Sequence, residues 1–171
     1  FRVGGINHNS VVNYTILAAT RTLAGGAPVT PHFTGVFVSS MAVSWTTVAN
    51  NTGYVLQADT NGGFSSPISS ITYVVGASSL AFDFGTLSAN TTYFVRVGAL
   101  YNGATTYAAT VPASTSTLTS LITTYQFYQV NVTSVVVNWL PLGTADGYQL
   151  DAATDAGFVT VVQSSVTSDV N

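Results

Sequence analysis

The stretch Asn-Thr-Thr-Tyr-Phe-Val-Arg-Val-Gly-Ala-Leu, residues 90–100, alternates in polarity with a period of two. In an extended strand, one face carries Tyr93, Val95, Val97 and Ala99, and the other carries Phe94, Arg96 and Gly98. This pattern predicts a half-buried strand of an antiparallel sheet. The first six residues, Phe-Arg-Val-Gly-Gly-Ile, match residues 95–100 position for position. We therefore expect the chain to begin inside a strand.

The composition combines ample apolar material with very little charge. Hydrophobic residues make up 47% of the chain, enough for a core, which excludes a disordered protein. Only 5% of residues are charged, against about 25% in an ordinary soluble domain. The net charge is −3, there is no basic run, and nucleic-acid binding therefore has no electrostatic basis. The chain has no cysteine, which excludes disulfides and thiolate sites.

Neither a membrane segment nor a signal peptide is recognisable. No apolar run approaches the roughly 18 residues that a spanning helix needs. Residues 1–10 read as a strand entering a turn, without the pattern of a signal peptide. We expect a mature, soluble segment of a longer product, with no membrane insertion.

A repeat of 94 residues organises the sequence. Met-Ala-Val-Ser-Trp ending at Trp45 corresponds to Val-Val-Val-Asn-Trp ending at Trp139. The same spacing relates three further pairs: Tyr54 and Tyr148, Phe64 and Phe158, and Arg2 and Arg96. A unit of this length is too long for a solenoid coil and fits a small β-sandwich.

The repeat divides the chain into three parts. Residues 1–26 are predicted to be the last two strands of one copy, 27–119 a complete copy, and 120–171 the first four strands of a third. Strands of the complete copy are predicted near 33–38, 41–47, 53–59, 68–75, 79–84, 92–101 and 105–111. Residues 23–28 and the Thr/Ser-rich residues 113–120 are predicted linkers, extended and semi-rigid. The fold class is therefore all-β, with tandem seven-stranded Greek-key sandwiches.

Motifs of the complete copy stand in a characteristic order. Val43-Ser44-Trp45 lies in the second strand, Tyr54 in the third, and Leu87, Asn90-Thr91-Thr92-Tyr93 and Arg96-Val97 lead into and through the sixth. This order resembles a fibronectin type III (immunoglobulin-like) domain, in a tandem-repeat protein of microbial surface or filament type. The resemblance implies that Trp45 fills the space between the sheets and that Tyr93 packs beneath Leu87 in a tyrosine corner. The turn 100–106 has no Arg-Gly-Asp, so integrin-type attachment is not implied.

The predicted structural core follows from the repeat and the resemblance together. It comprises Trp45, Trp139, Tyr54, Tyr148, Leu87 and Tyr93.

Candidates for catalysis are few. His8 and His32 have no carboxylate in the same short segment, and no nucleophile elbow is present. We predict that the chain is not an enzyme, with no catalytic residues and no cofactor.

Two acidic turns offer oxygen ligands of the kind that Ca²⁺ uses, residues 59–62 and 151–155. The chain contains no glutamate to complete a loop site. Asp and Asn beside Gly are also what tight turns require. We therefore favour turn chemistry and predict no metal site.

Tyr125, Phe127 and Tyr128 form an aromatic cluster that could stack on sugars. Alternation predicts that one or two of them face the core of the third copy, and the remainder would cap its junction with the complete copy. Structural packing is the favoured interpretation.

Four Asn-X-Ser/Thr sequons are glycosylation candidates: Asn13, Asn50, Asn90 and Asn131. The alternative is ordinary turn chemistry in a sequence rich in Asn and Thr. All four are predicted in loops or at strand ends, with Asn50 and Asn90 the most accessible. Attached sugar would hydrate a surface that has little charge.

The partial copies predict association of the chain with itself. Residues 120–171 would expose the apolar face bearing Val137, Trp139 and Tyr148. Either the chain is a window on a long tandem array, or the leading hairpin of one subunit completes the trailing half-copy of the next. The second route leaves the counterpart of residues 78–94 missing, so the tandem array is favoured.

These observations predict an extracellular or cell-surface structural protein that builds a filament, stalk or surface layer. Its partners would be copies of itself and covalent glycans. The alternative is an adhesin or carbohydrate-binding spacer of a larger secreted protein, in which Tyr125 or Tyr128 contacts the ligand.

Overall fold

The computed structural model describes residues 1–20 and 23–168, and every regular element in those ranges is a β-strand. Arg21 and Thr22, inside the predicted first partial copy, and residues 169–171, at the end of the predicted third copy, lie outside the described residues. The strands of the first and complete copies are β1 Arg2–Ile6, β2 Val12–Ile16, β3 Val29–Val36, β4 Met41–Thr46, β5 Gly53–Asp59, β6 Ile68–Thr72, β7 Ser79–Ala81, β8 Thr92–Tyr101 and β9 Ala104–Ser116. Those of the third copy are β10 Tyr125–Val130, β11 Val135–Trp139, β12 Tyr148–Ala153 and β13 Val161–Thr167. Within the described ranges, no helix is of the length and apolarity that crossing a membrane requires.

The complete copy consists of two antiparallel sheets. One has the strand order β3-β4-β7, and the other has the order β6-β5-β8-β9. The seven predicted strands are all present, and β8 has the predicted alternation, with Tyr93, Val95, Val97 and Ala99 buried. The all-β, two-sheet prediction is therefore confirmed.

Several strand boundaries differ from the predictions: β3 runs from Val29 to Val36 where 33–38 was predicted, and β6, β7 and β9 differ as well. β6 ends at Thr72 because Val74 and Ala77 enter a turn, in which the Ala77 N–H donates to the Val74 carbonyl at 3.1 Å. β7 ends at Ala81, since the chain then turns at Asp83, whose carbonyl accepts the Thr86 N–H. Both strands were predicted too long because the predictions followed apolar character alone.

β9 is longer than predicted and includes residues 113–116, which were assigned to a linker. The strand crosses a register shift opposite Phe94 and Arg96 and pairs again, with Thr92 opposite Ser116. The buried hydroxyl of Thr110 bridges this irregularity: its single proton is shared between the carbonyl oxygens of Pro112 and Val95, which lie 2.7 and 3.1 Å from Oγ1. A side-chain bridge of this kind has no signature in a hydropathy pattern.

The core lies between the two sheets of the complete copy. Its buried members are Met41, Val43, Trp45, Tyr54, Leu56, Ala58, Phe82, Leu87, Tyr93, Val95, Val97 and Ala99. The ring centroids of Trp45 and Tyr54 are 5.1 Å apart. The hydroxyl of Tyr93 accepts the Ser88 N–H at 3.1 Å, which fixes the connection between the sheets beside Leu87.

The first strands of the third copy reproduce those of the complete copy. In β3–β4, His32 pairs with Ser44 and Phe33 with Val43, and a register shift follows before Gly35. In β10–β11, the residues 94 positions later pair in the same way, with the shift between Phe127 and Gln129. The repeat is therefore present in the strand register as well as in the sequence.

The leading hairpin β1–β2 resembles β8–β9. Arg2 lies over the Tyr14 ring at 3.8 Å, and Arg96 lies over the Tyr107 ring at 3.9 Å. The first hairpin has one more residue in its turn, so the arginines are 94 residues apart and the tyrosines 93. The tyrosine rings lie against Gly4 and Gly98, where a Cβ would come within 2.8 Å of ring carbon.

Candidate interaction surfaces

The inner face of the third copy is open. β10–β11 and β12–β13 form separate two-stranded sheets, which enclose a cleft of about 740 Å³. The cleft is lined in part by Phe127, Val137, Leu150 and Phe158. Leu150 is 37% exposed, whereas Leu56, its counterpart in the complete copy, is 0% exposed. The difference arises because β8 pairs with β5 in the complete copy, whereas among the described strands only β13 pairs with β12.

The predicted core pair of the third copy forms nonetheless. The ring centroids of Trp139 and Tyr148 are 5.2 Å apart, and Tyr148 is buried while Trp139 is half-buried. The Tyr148 hydroxyl accepts the Leu142 N–H at 2.6 Å, as the Tyr54 hydroxyl accepts the Val48 N–H at 3.0 Å. Each of these two hydrogen bonds joins residues six positions apart, so it forms without the remaining strands of a sandwich.

The leading hairpin also exposes apolar residues. Val3 is 58% exposed, whereas Val97, at the same position of β8, is 0% exposed. Phe1 and Ile6 are exposed as well. The hairpin and the third copy thus each present side chains of the kind that the complete copy buries.

The aromatic cluster divides between the two faces of β10. Tyr125 and Phe127 stand 94 residues after Pro31 and Phe33; Pro31 is buried and Phe33 packs against the core. Tyr128 corresponds to Thr34, which is exposed. All three side chains are exposed in the third copy, but only Tyr128 occupies a position that faces solvent in the complete copy. Plain alternation also places Tyr125 and Phe127 on one side of β10 and Tyr128 on the other, and the register shift falls between Phe127 and Gln129.

The outer face of the four-stranded sheet carries Arg96, which served as a landmark of the repeat but was assigned no contacts from the sequence. The Arg96 guanidinium lies between the rings of Phe64 and Tyr107, at 4.0 and 3.9 Å from their centroids. Its Nε–H donates to Oε1 of Gln57 at 2.9 Å. This arrangement covers both faces of the guanidinium and stabilises the packing of three strands and a loop. The alternation of β8 placed Arg96 outside but gave no indication of the second ring.

Both acidic turns use their carboxylates to hold the backbone. Asp59 accepts the N–H groups of Asn61 and Ser66 at 2.9 and 3.0 Å. These bonds, with the nearby charge of Arg96, lower the pKa of Asp59. Asp155 accepts the N–H groups of Gly157, Val159 and Thr160.

Hydrogen bonds also lower the pKa values of two aspartates of the third copy, Asp151 and Asp155. Donation from the Val159 and Thr160 amides lowers the pKa of Asp155. The Ser164 hydroxyl and the Gln149 amide lower that of Asp151. Among the described residues, no three His, Asp or Glu side chains group as metal ligands would.

The histidines are separate. His32 lies on the outer face of β3, where its Nε2 is 3.0 Å from Oγ of Ser44 and its Nδ1 is 3.0 Å from the Thr30 carbonyl oxygen. This cross-strand pair was not anticipated, because the two residues are 12 positions apart. His32 is exposed and Ser44 is half-buried. His8 lies in the turn between β1 and β2.

The four sequon asparagines occupy different settings. Asn13 is exposed in β2, Asn131 is exposed in the turn after β10, and Asn50 is exposed before β5. Asn90 is only half-buried, and its Nδ2 donates to the Thr144 carbonyl of the third copy. The expectation that Asn90 is among the most accessible sites is therefore wrong. Whether any of the four carries a glycan remains a prediction.

The strand orders decide the fold of residues 29–116. The three-stranded sheet β3-β4-β7 packs against the four-stranded sheet β6-β5-β8-β9. The last strand, β9, pairs with both halves of β8, beside Tyr93, whose hydroxyl accepts the Ser88 N–H. The complete copy is a fibronectin type III-like β-sandwich. No protein-family model and no curated protein match this sequence.

Solved structures of low sequence identity have similar folds. The FN5 domain of Drosophila Lar is 22% identical with a TM-score of 0.46, covering 57% of this chain and 100% of that one. An FN3 domain of human collagen XX is 21% identical with a TM-score of 0.43, covering 59% and 100%. A segment of two fibronectin type III domains from chicken tenascin is 15% identical with a TM-score of 0.45, covering 82% and 76%.

Proposed function

We propose that this chain is part of a non-enzymatic extracellular structural protein, built from fibronectin type III-like sandwiches placed end to end. One observation carries the proposal: the same local structures recur at a constant spacing. The Trp–Tyr pair of the complete copy recurs in the third copy, and the Arg–Tyr pair recurs in the leading hairpin. Such repetition supports a filament, stalk or surface layer.

The surface composition supports an exposed location. With 5% charged residues, hydration of the surface depends on Ser, Thr, Asn and the backbone. Glycans at Asn13, Asn50 or Asn131 would add hydration where the side chains are exposed.

Two routes of assembly are compatible with the open faces. In the first, sandwiches follow each other along one longer chain. In the second, β1–β2 of one molecule pairs beside β12 of another, as β8–β9 pairs beside β5. We favour the tandem array, since the second route leaves no counterpart of β7 in the third copy.

Electron microscopy of native material tests the proposal. We expect fibres or stalks with an axial period of one or two sandwich lengths. Globular particles, together with a monomer mass in sedimentation, would overturn it. Under strand complementation, the isolated 171-residue chain would form head-to-tail oligomers whose mass rises with concentration, whereas the tandem-array route predicts no such ordered series.

A carbohydrate-binding spacer is the second candidate, and Tyr128 is the observation that favours it. This ring is 68% exposed on the outward side of β10, where sugars could stack. A glycan-array signal that Tyr128→Ala abolishes and Tyr125→Ala retains would support binding through this face. The absence of any signal would exclude the candidate.

A further inference from the structure

We propose that consecutive sandwiches meet in a fixed joint with no free linker residue, in which Asn90 binds the next copy. This inference rests on the proposed tandem arrangement and specifies the partner surface: the turn before the third strand of the following sandwich. Two sets of contacts, one at each end of the complete copy, lead to it.

The trailing end of the complete copy holds the chain through Leu118. The Leu118 N–H donates to the Phe37 carbonyl at 3.1 Å, and its carbonyl accepts the Asn90 N–H at 3.0 Å. The buried hydroxyl of Thr117 donates to the Ser88 carbonyl at 2.6 Å. The backbone is therefore fixed two residues beyond the end of β9.

The leading end holds the chain from Gly25 onward. The Tyr101 hydroxyl donates to the Gly26 carbonyl at 2.6 Å, and the Thr106 hydroxyl donates to the Gly25 carbonyl at 3.1 Å. The Tyr101 ring lies so close to Gly25 that a Cβ there would be 2.7 Å from ring carbons. The backbone thus lies directly on the turn between β8 and β9.

When the two ends of the complete copy are aligned by the 94-residue repeat, no residue lies between the last residue held by one sandwich and the first residue held by the next. Gly25 is 94 residues before Thr119, and Thr119 directly follows Leu118. Counted instead from the tyrosines of the two hairpins, which are 93 residues apart, Gly25 corresponds to Leu118 itself. In both alignments, the last backbone group bound by one sandwich is adjacent to, or the same as, the first backbone group bound by the next.

A side-chain contact crosses the joint. Nδ2 of Asn90 donates to the carbonyl of Thr144, which stands 94 residues after Asn50. Asn90 has a φ of 45°, a left-handed conformation that Asn tolerates, and it lies in the turn before β8. Residues 119–122 also line a cleft with Leu142, Gly147 and Tyr148 of the third copy.

The joint and the sequon at Asn90 compete for one atom. N-linked glycans attach to Nδ2, the atom that donates to Thr144. Modification of Asn90 would remove this contact and place a bulky group in the joint. The proposal therefore requires an unmodified Asn90 wherever two sandwiches are joined.

Distance distributions between two spin labels test the joint in the full chain. Because the chain has no cysteine, Thr34→Cys in β3 and Val162→Cys in β13 label exposed positions on either side of the joint. We expect a single narrow distribution. A variant with Gly-Ser-Gly-Ser inserted between Leu118 and Thr119 gives the reference for a flexible joint.

Asn90→Asp keeps the backbone preference and replaces the donor by a carboxylate facing the Thr144 carbonyl. Asn90→Gly removes the side chain without strain. We expect both to broaden the distribution at least twofold. Asn50→Asp is the matched control, because Asn50 is an exposed sequon asparagine with a φ of 60°; it should leave the distribution unchanged.

A native distribution as broad as that of the insertion variant would overturn the proposal. An Asn90→Asp distribution equal to that of Asn50→Asp would overturn the role of Asn90. Fibres in the microscope together with a broad distribution would contradict only the joint. A narrow distribution in material that never assembles would contradict only the proposed function.

Discussion

The ring of Trp139 lies 5.2 Å from the ring of Tyr148, centroid to centroid, although β13 is the only described strand that pairs with β12 and no described strand takes the place of β8. In the equivalent pair of the complete copy the rings are 5.1 Å apart, and there β8 pairs with β5, the strand that carries Tyr54. The geometry of the pair is therefore set by the two strands that carry it. The additional strand β8 increases the burial of the pair and leaves the distance between the two rings nearly the same.

Replacing the core tryptophan separates packing from hydrogen bonding. Trp45→Ala removes a side chain that is 4% exposed and should lower the free energy of unfolding of the complete copy by about 3–5 kcal/mol. Trp45→Phe should cost clearly less, because the buried indole N–H has no hydrogen-bond partner to lose. Urea unfolding followed by tyrosine fluorescence and far-ultraviolet circular dichroism measures both. Equal losses for the two variants would contradict this account.

Asp59 should make the complete copy sensitive to acid. Hydrogen bonds from the Asn61 and Ser66 amides lower the pKa of Asp59 below the ordinary value of about 3.9. A lowered folded-state pKa gives stability that is present above that ordinary value and is lost as the pH falls through the folded-state value. We therefore expect the urea midpoint to fall as the pH is lowered below about 4.

Asp59→Asn should flatten this acid dependence and lower stability at pH 7, since an amide NH₂ cannot accept the Ser66 N–H. Asp83→Asn, at an exposed position, is the control and should retain the dependence. An unchanged pH profile in Asp59→Asn would show that other groups cause the acid sensitivity.

The stacked arginine should not tolerate lysine. Arg96→Lys loses the planar guanidinium between Phe64 and Tyr107, and the Nε–H that donates to Gln57. We expect a loss of about 1–2 kcal/mol in the free energy of unfolding. A double-mutant cycle with Tyr107→Leu should give a coupling energy of at least about 0.5 kcal/mol, and additive losses would show that the stacking contributes nothing.

Sequon occupancy should follow the structure. We expect glycopeptide mass spectrometry of native material to find higher glycan occupancy at Asn50 than at Asn90, because Nδ2 of Asn90 donates a hydrogen bond to the Thr144 carbonyl. Both asparagines have positive φ and the same sequon type, so the comparison isolates the contact. Higher occupancy at Asn90 would contradict the placement of its side chain, and an intact mass equal to the bare polypeptide would exclude glycosylation altogether.

Short-range periodicity was enough to predict the strands and their faces. The alternation around Val95 and Val97 identified the central strand, and the spacing of Trp45 and Trp139 identified the repeat. Features that depend on long-range contact were not predictable. The extension of β9 depends on Thr110 reaching the Val95 carbonyl, and the setting of Asn90 depends on a residue 54 positions away.

The candidate surfaces were predicted in outline. Exposed apolar residues in the partial copies followed from counting strands. Alternation put Tyr125 and Phe127 on one side of β10, but which side is the inward one followed from their counterparts Pro31 and Phe33 in the folded complete copy. The Arg96 stack joins residues from β8, β9 and the loop after β5, a combination that no single strand pattern reveals.

The shared register shift of β3–β4 and β10–β11 has a consequence for the biosynthesis of a long chain. Neighbouring units that use one pairing scheme can exchange strands, and such exchange is a known failure of tandem proteins. Each hairpin here closes over a few residues, and a swapped partner would have to arrive from 94 residues away. Since a short loop closes at lower entropic cost than a long one, every unit pairs its own strands first as the polypeptide leaves the ribosome.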